Sequence, residues 1–302
     1  MKFVSFLGKD GPGVGVVRGA DVFPVPHGYG VSADGAPVGL LELIQRGTPT
    51  SVPSTTPIPL SEVRLLAPIP RPARNVICVG QNYHDHSLEF EASGYNATPS
   101  GGVPERPIIF TKASSSVIAS GECIPLHDHL THELDYEAEL GVIIGRGGRN
   151  ISREDALGHV WGYTIINDVT ARDLQRDHRQ WFLGKSLDGT CPMGPYAVTA
   201  DEVDVTGLLV ETRVNGELRQ SAKTADLIFD VPTLIATLSA GMTLVPGDVI
   251  ATGTPAGVGI GFDPPRFLSS NDTVEVSITG LGTLTNTVGG PQDIAQESPH
   301  EP

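Results

Sequence analysis

The sequence predicts a mainly β fold of the α+β class, and three observations carry that expectation. Glycine (36) and proline (25) are abundant among the 302 residues and spread along the chain, which favours many short strands and turns over long helices. The apolar runs are short and bounded by turn residues, as in "FVSFL", "NVICVG" and "WGYTIIND". An Asn-Gly pair inside "LLVETRVNGELRQ" signals a two-residue hairpin turn, because both positions need positive φ.

In chain order, "FVSFL", "GKDGPG" and "VGVVRG" read as a hairpin. The glycines of "GPGVG" lack the strand–turn–helix setting of a nucleotide loop. "VGLLELIQRG" is a short helix, and the Pro-rich, extended "PSTTPIPLSEVRLLAPIPRP" marks a boundary near residue 70. It separates a small N-terminal region (1 to 70) from a larger domain (71 to 288). "NVICVG" is a buried strand, "QNYHDHSLEF" a helix, and residues 91 to 107 a long polar loop. "IIFTKASSSVI" is strand-like, and "SREDALGHV" a helix with Ser152 as N-cap and Asp155 three residues on. After the strand "WGYTIIND" comes a polar helix, "VTARDLQRDHRQWF". Then follow a hairpin turning at Asn215-Gly216, a helix ending at Gly241, a strand entering the loop "ATGTPAGVG", and a last hairpin in "DTVEVSITGLGTLTNTV". Residues 289 to 302 form a disordered tail by composition.

Acidic residues outnumber basic ones 35 to 20, a net charge of −15 that repels nucleic acid and anionic lipid. Three cysteines, far apart and without CxxC spacing, argue against a disulfide framework or a zinc knuckle. No apolar run reaches the ~18 residues of a membrane span, and the apolar start is too short for a signal peptide. A cytoplasmic protein is expected.

The segment "ELDYEAELGVIIG" places Glu133, Asp135, Glu137 and Glu139 at alternate positions, on one face of a strand. Like charges on a buried face repel and resist desolvation. A hard divalent cation (Mg²⁺, Mn²⁺ or Ca²⁺) would cancel them. Glu137 and Glu139 lie deepest in the apolar run and are the best ligands, with Asp135 and Glu133 expected nearer solvent. From spacing alone, an edge strand with one wet face fits equally well. Asp168, at the end of a strand, is a third carboxylate, although a helix cap would also explain it. His86 and Glu89 share a helix face at i and i+3, the pairing that builds a general base. Arg172, Gln175 and Lys185 could hold an anion, and Thr254 sits in a tight loop able to bind a carboxylate. Singly, each also reads as ordinary surface.

Taken in order, "GQNYHDHSLE", "DYEAELGVIIG", "NDVTARDLQ", "GKSLDGTCPMGP" and "GDVIATGTPAGVG" resemble the fumarylacetoacetate hydrolase family, over most of residues 75 to 285. The resemblance implies a mixed β-sandwich roll, usually a homodimer. It implies a Mg²⁺ or Mn²⁺ ion on Glu137, Glu139 and Asp168, and a water-activating dyad of His86 and Glu89. Lys185 would lie beside the metal-bound oxyanion, with Tyr83, Arg172, Gln175 and Thr254 toward substrate and the 91 to 107 loop as a lid. A further metal-binding Asp found upstream in the larger eukaryotic members has no clear equivalent. The expected activity is cleavage of a C–C bond in an acylpyruvate or other 2,4-dioxo acid, in aromatic or sugar-acid breakdown. Decarboxylation or isomerisation of a related oxo acid on the same site is the alternative. A metal-stabilised scaffold without turnover is the rival from outside enzymology.

Overall fold

Alternate side chains of the central strands enter two different cores. In Val76–Gly80, Ile77 and Val79 join one core while Val76 and Cys78 join the other. In Ala138–Ile144, Leu140, Val142 and Ile144 face the first core and Ile143 the second. A sheet buried on both faces reads as a near-continuous apolar run, which is why these strands look so hydrophobic.

The computed structural model describes residues 1–26, 36–95 and 102–289. Its large sheet has twelve strands. The main path runs Ile58–Pro59, Asp21–Pro24, Gly11–Arg18, Lys2–Gly8, Cys191–Thr199, Val160–Asn167, Ala138–Ile144, Val249–Ala251, Val76–Gly80 and Ile108–Lys112. The N-terminal hairpin therefore continues the sheet across the position near residue 70, with Lys2 opposite Val198 and Phe3 opposite Ala197. A second sheet of five strands, Glu217–Lys223, Leu209–Val214, Thr273–Ile278, Gly282–Gly289 and Cys123–Pro125, contributes Val210, Val274, Val276 and Leu284 to the first core. The result is a mixed β-sandwich roll, as the family resemblance implies, built of short strands with a few short helices, as the composition predicts.

Local signals account for most elements. Asn215 and Gly216 have φ of 52° and 80°, the pair of positive values that a type I′ turn requires. Asp230 caps the helix Val231–Gly241 by accepting from the Thr233 N–H at 3.0 Å, with Pro232 in the first turn. The helix expected at "SREDALGHV" is only a 3₁₀ turn, Ala156–His159. Ser152 still makes the expected capping bond, its Oγ accepting from the Asp155 N–H at 3.2 Å while donating to Asp155 Oδ2 at 3.0 Å. No helix among the described residues is long and apolar enough to cross a membrane. The tail expected beyond residue 289, and part of the 91 to 107 loop, lie outside the described residues.

Candidate active site and metal centre

The acidic segment is two strands, not one. Leu134–Asp135 pairs with Thr170–Ala171, and Ala138–Ile144 runs in the large sheet. Between them the ladder breaks: the Glu137 N–H donates to Asn167 Oδ1 (3.0 Å) and the Asp168 N–H donates to the Glu137 carbonyl (2.8 Å). Those bonds fasten two acidic residues of neighbouring strands together. Candidate ligand oxygens of Glu137, Glu139 and Asp168 all lie within 4.8 Å of one another, and all three residues are buried.

The charges around them are uneven. Lys185 Nζ bonds Glu137 Oε2 (2.7 Å) and Asp168 Oδ2 (2.8 Å). Arg172 Nη1 lies 2.7 Å from Glu137 Oε1. Burial opposes ionisation of Glu137, but Lys185 and Arg172 outweigh it and hold the carboxyl down at about 2. Among the described residues Glu139 has only the Gly253 N–H, at 2.8 Å on Oε2. Burial first, then the charges of Asp168 and Glu137, push its carboxyl well above the usual range. A buried carboxylate without a cation, beside two more, is what an oxygen-preferring divalent ion would complete. The donor set fits such an ion. Gly253 itself has φ of 104°, and a Cβ there would press on Asn82 and the Val79 carbonyl, so only glycine brings this N–H to Glu139.

Asp135 departs from expectation. It is fully buried rather than solvated. Arg172 Nε and Nη2 both lie 2.9 Å from its Oδ2, and the N–H groups of Gly259 (2.6 Å) and Tyr136 (2.8 Å) donate to Oδ1. Glu133 is partly exposed and pairs with Arg176 at 3.5 Å. Lys112 is a second residue that sequence reading missed. It is completely buried, with Nζ 2.8 Å from Asp168 Oδ1 and donating to the Val169 carbonyl at 2.9 Å. A lysine ending the strand Ile108–Lys112 carries no local sign that a carboxylate awaits it from another strand.

The proposed base is assembled. His86 and Glu89 lie on the helix His84–Ala92, with Nδ1 3.1 Å from Glu89 Oε2. The other carboxylate oxygen, Oε1, accepts from the Gly257 N–H at 2.9 Å. Gly261 packs so closely on Glu89 that a Cβ would overlap the carboxylate. His86 shares one cavity with Glu137, Glu139, Arg172, Gln175, Lys185 and Thr254, walled by Phe90, Phe110 and Trp181. Thr254 Oγ1 already accepts from Gln220 Nε2 (2.8 Å), and Gln175 Oε1 from Arg172 Nη1 (3.1 Å). Tyr83, expected on the substrate, is buried beside this cavity and lines a neighbouring hollow with His84 and Asp85.

Comparison with known proteins agrees with this geometry. Residues 75–289 match the family model described as fumarylacetoacetate (FAA) hydrolase C-terminal. The chain is 54% identical to the oxaloacetate tautomerase YisK of Bacillus subtilis over 231 residues, covering 76% of this chain and 74% of that protein. A fumarylacetoacetate hydrolase from Exiguobacterium antarcticum superposes with a TM-score of 0.83 at 48% identity, over 96% of this chain and 99% of that one. A 2-hydroxyhepta-2,4-diene-1,7-dioate isomerase from Mycobacterium marinum does so with 0.76 at 34%, again over 96% and 99%. These relatives correct the expected reaction. The named relative at 54% identity is a tautomerase and a structural neighbour is an isomerase, so hydrolysis of a C–C bond does not stand as this chain's activity. What the family model, the relatives and the fold share is the ancestry: the chain belongs to the fumarylacetoacetate hydrolase family.

Proposed function

We propose that the protein is a divalent-metal-dependent tautomerase that interconverts the keto and enol forms of a 2-oxo dicarboxylic acid of the oxaloacetate type. The observation that carries this reading is a buttressed histidine that shares one cavity with Glu137 and Glu139, two members of the buried acidic triad that Asp168 completes. The likeness to an oxaloacetate tautomerase supports the substrate class.

With Nδ1–H donated to Glu89, neutral His86 keeps its lone pair on Nε2. That nitrogen takes a proton from the carbon next to the oxo group. The electron pair left behind forms the C=C bond, and the oxo oxygen collects the negative charge. Returning the proton to that oxygen gives the enol, and returning it to carbon restores the keto acid. No water is consumed and no bond between carbons breaks. Mg²⁺ or Mn²⁺ held by Glu137, Glu139 and Asp168 would supply Lewis-acid polarisation of the oxo group. Lys185, bonded to two of those carboxylates, keeps a positive charge beside them, because the charges of Asp168 and Glu137 overcome the burial that would discharge it. Arg172, bridging Asp135, Glu137 and Gln175, fixes the ligand geometry. Phe90, Phe110 and Trp181 keep bulk water from the reacting carbon.

The test follows enol absorbance of oxaloacetate with Mn²⁺ present. His86→Ala is expected to lower the interconversion rate about 10²–10⁴-fold with thermal stability little changed. Release of pyruvate without acceleration of the keto–enol exchange would overturn the reading.

A further inference from the structure

Gln81 and Asn82 are adjacent residues, both buried, and only one of them has structural work. Asn82 Nδ2 donates to the carbonyls of Thr252 (2.7 Å) and Phe229 (3.0 Å), and its Oδ1 accepts from the Phe229 N–H (2.8 Å). Its side chain ties the start of the helix to two distant loops. Gln81 is 4% exposed, lines the cavity beside His86, Glu137 and Lys185, and its Oε1 is buried with no hydrogen-bond partner among the described residues. A buried acceptor left unpaired is unfavourable, and native proteins keep few of them.

The backbone sharpens the contrast. Gln81 has φ of 52°, a left-handed conformation that glycine or asparagine adopts more readily. Gly80 before it is held because a Cβ there would overlap the Trp181 ring, and Asn82 after it is held by its three bonds. Gln81 is thus clamped from both sides in a strained conformation, with its carboxamide in the cavity. Strain of this kind collects where a side chain is used on a ligand.

We propose that Gln81 contacts the substrate, its carboxamide oxygen accepting a hydrogen bond from the hydroxyl of the bound enol. The inference rests on the tautomerase reading for the identity of that hydroxyl. A keto acid offers no donor to this acceptor, whereas the enol does, so the contact favours the enol on the protein. Gln81 is then a residue that sets the balance between bound tautomers, while His86 moves the proton.

The experiment measures binding, so that it does not depend on turnover. Malate and succinate are dicarboxylates of the same chain length that differ in one hydroxyl. Their dissociation constants are measured calorimetrically with Mn²⁺ on the wild-type protein, on Gln81→Leu and on Gln81→Met, the second replacement serving if the first does not fold. The apolar variants are expected to weaken malate about three- to tenfold, the loss of one neutral hydrogen bond, and to leave succinate unchanged. An equal loss for both acids, no loss for malate, or no binding of malate to the wild-type protein would overturn the proposal. Keto–enol exchange of oxaloacetate by the wild-type protein is assayed beside it. Its absence would remove the tautomerase reading, while the malate and succinate constants would still judge Gln81.

Discussion

Asp135 and Glu139 stand four residues apart in one acidic segment, both buried, and they meet opposite fates. Asp135 receives a guanidinium and several backbone N–H groups. Glu139 receives one backbone N–H and, among the described residues, no ion-pair partner. Around the whole cluster, Asp135, Glu137, Glu139 and Asp168 face Arg172, Lys185 and Lys112, so one carboxylate charge is left over. The lesson is that burial of a charge does not by itself mark function. Burial raises the carboxyl of Asp135 too, but its counter-ion is built in, whereas Glu139 has none among the described residues. A buried charge with a built-in counter-ion is architecture, and one without it is a place prepared for a ligand.

Breaking the compensated end has the largest expected effect on stability. Arg172→Met leaves Asp135 and Glu137 without their guanidinium and should cost about 3–5 kcal/mol in urea unfolding, whether or not metal is present. A loss under about 1 kcal/mol, the value of a surface pair, would show that the backbone donors alone suffice. Lys112→Met acts at the other end, on Asp168. Stripping that cation deepens the negative excess, so the melting temperature in chelator should fall by several degrees and the rise on adding Mn²⁺ should grow. An unchanged response to Mn²⁺ would separate Lys112 from the metal centre.

Much of this was legible from residue order, and the limits are instructive. Turn chemistry at Asn215-Gly216 and capping at Asp230 are local, so they are readable directly. Glu137 and Glu139 at alternate positions and His86–Glu89 at i and i+3 are local patterns and so are legible, whereas Asp168 joins the acidic trio through the family motif. Asp135 was misplaced toward solvent because its partner, Arg172, comes from a segment 37 residues away. Lys112 was silent for the same reason, 57 residues from the Val169 carbonyl that it binds. The seam between Lys2–Gly8 and Cys191–Thr199 joins distant segments that no local pattern connects. The reaction is not legible in residue order, because relatives that share this family's fold include both a tautomerase and an isomerase.

A subtler contrast lies in the pH dependence of the metal-free protein. Glu137 titrates at about 2 in the fold, below its usual 4.5, so its contribution is full above 4.5 and is lost as pH falls from 4.5 toward 2. Glu139 titrates above 4.5, so its contribution is full below 4.5 and is lost as pH rises through its raised value. In chelator, urea unfolding from about pH 3 to 8 should therefore show an acid arm and a second decline on the alkaline side, to which Asp135, its carboxyl also raised by burial, adds. Saturating Mn²⁺ should remove Glu139's part of the second decline and leave the first. A metal-free profile that rises steadily toward neutral pH would count against the uncompensated Glu139.

The most direct test is the melting temperature of Glu139→Gln against wild type at neutral pH, each in chelator and in Mn²⁺. With the surplus charge gone, the variant should melt higher than wild type in chelator and gain little from Mn²⁺, whereas wild type should gain what a ligand at about 100 times its dissociation constant supplies, about 2.7 kcal/mol. A variant that melts lower than wild type in chelator and responds equally to Mn²⁺ would contradict the account, since Glu139 would then be neither the surplus charge nor a metal ligand.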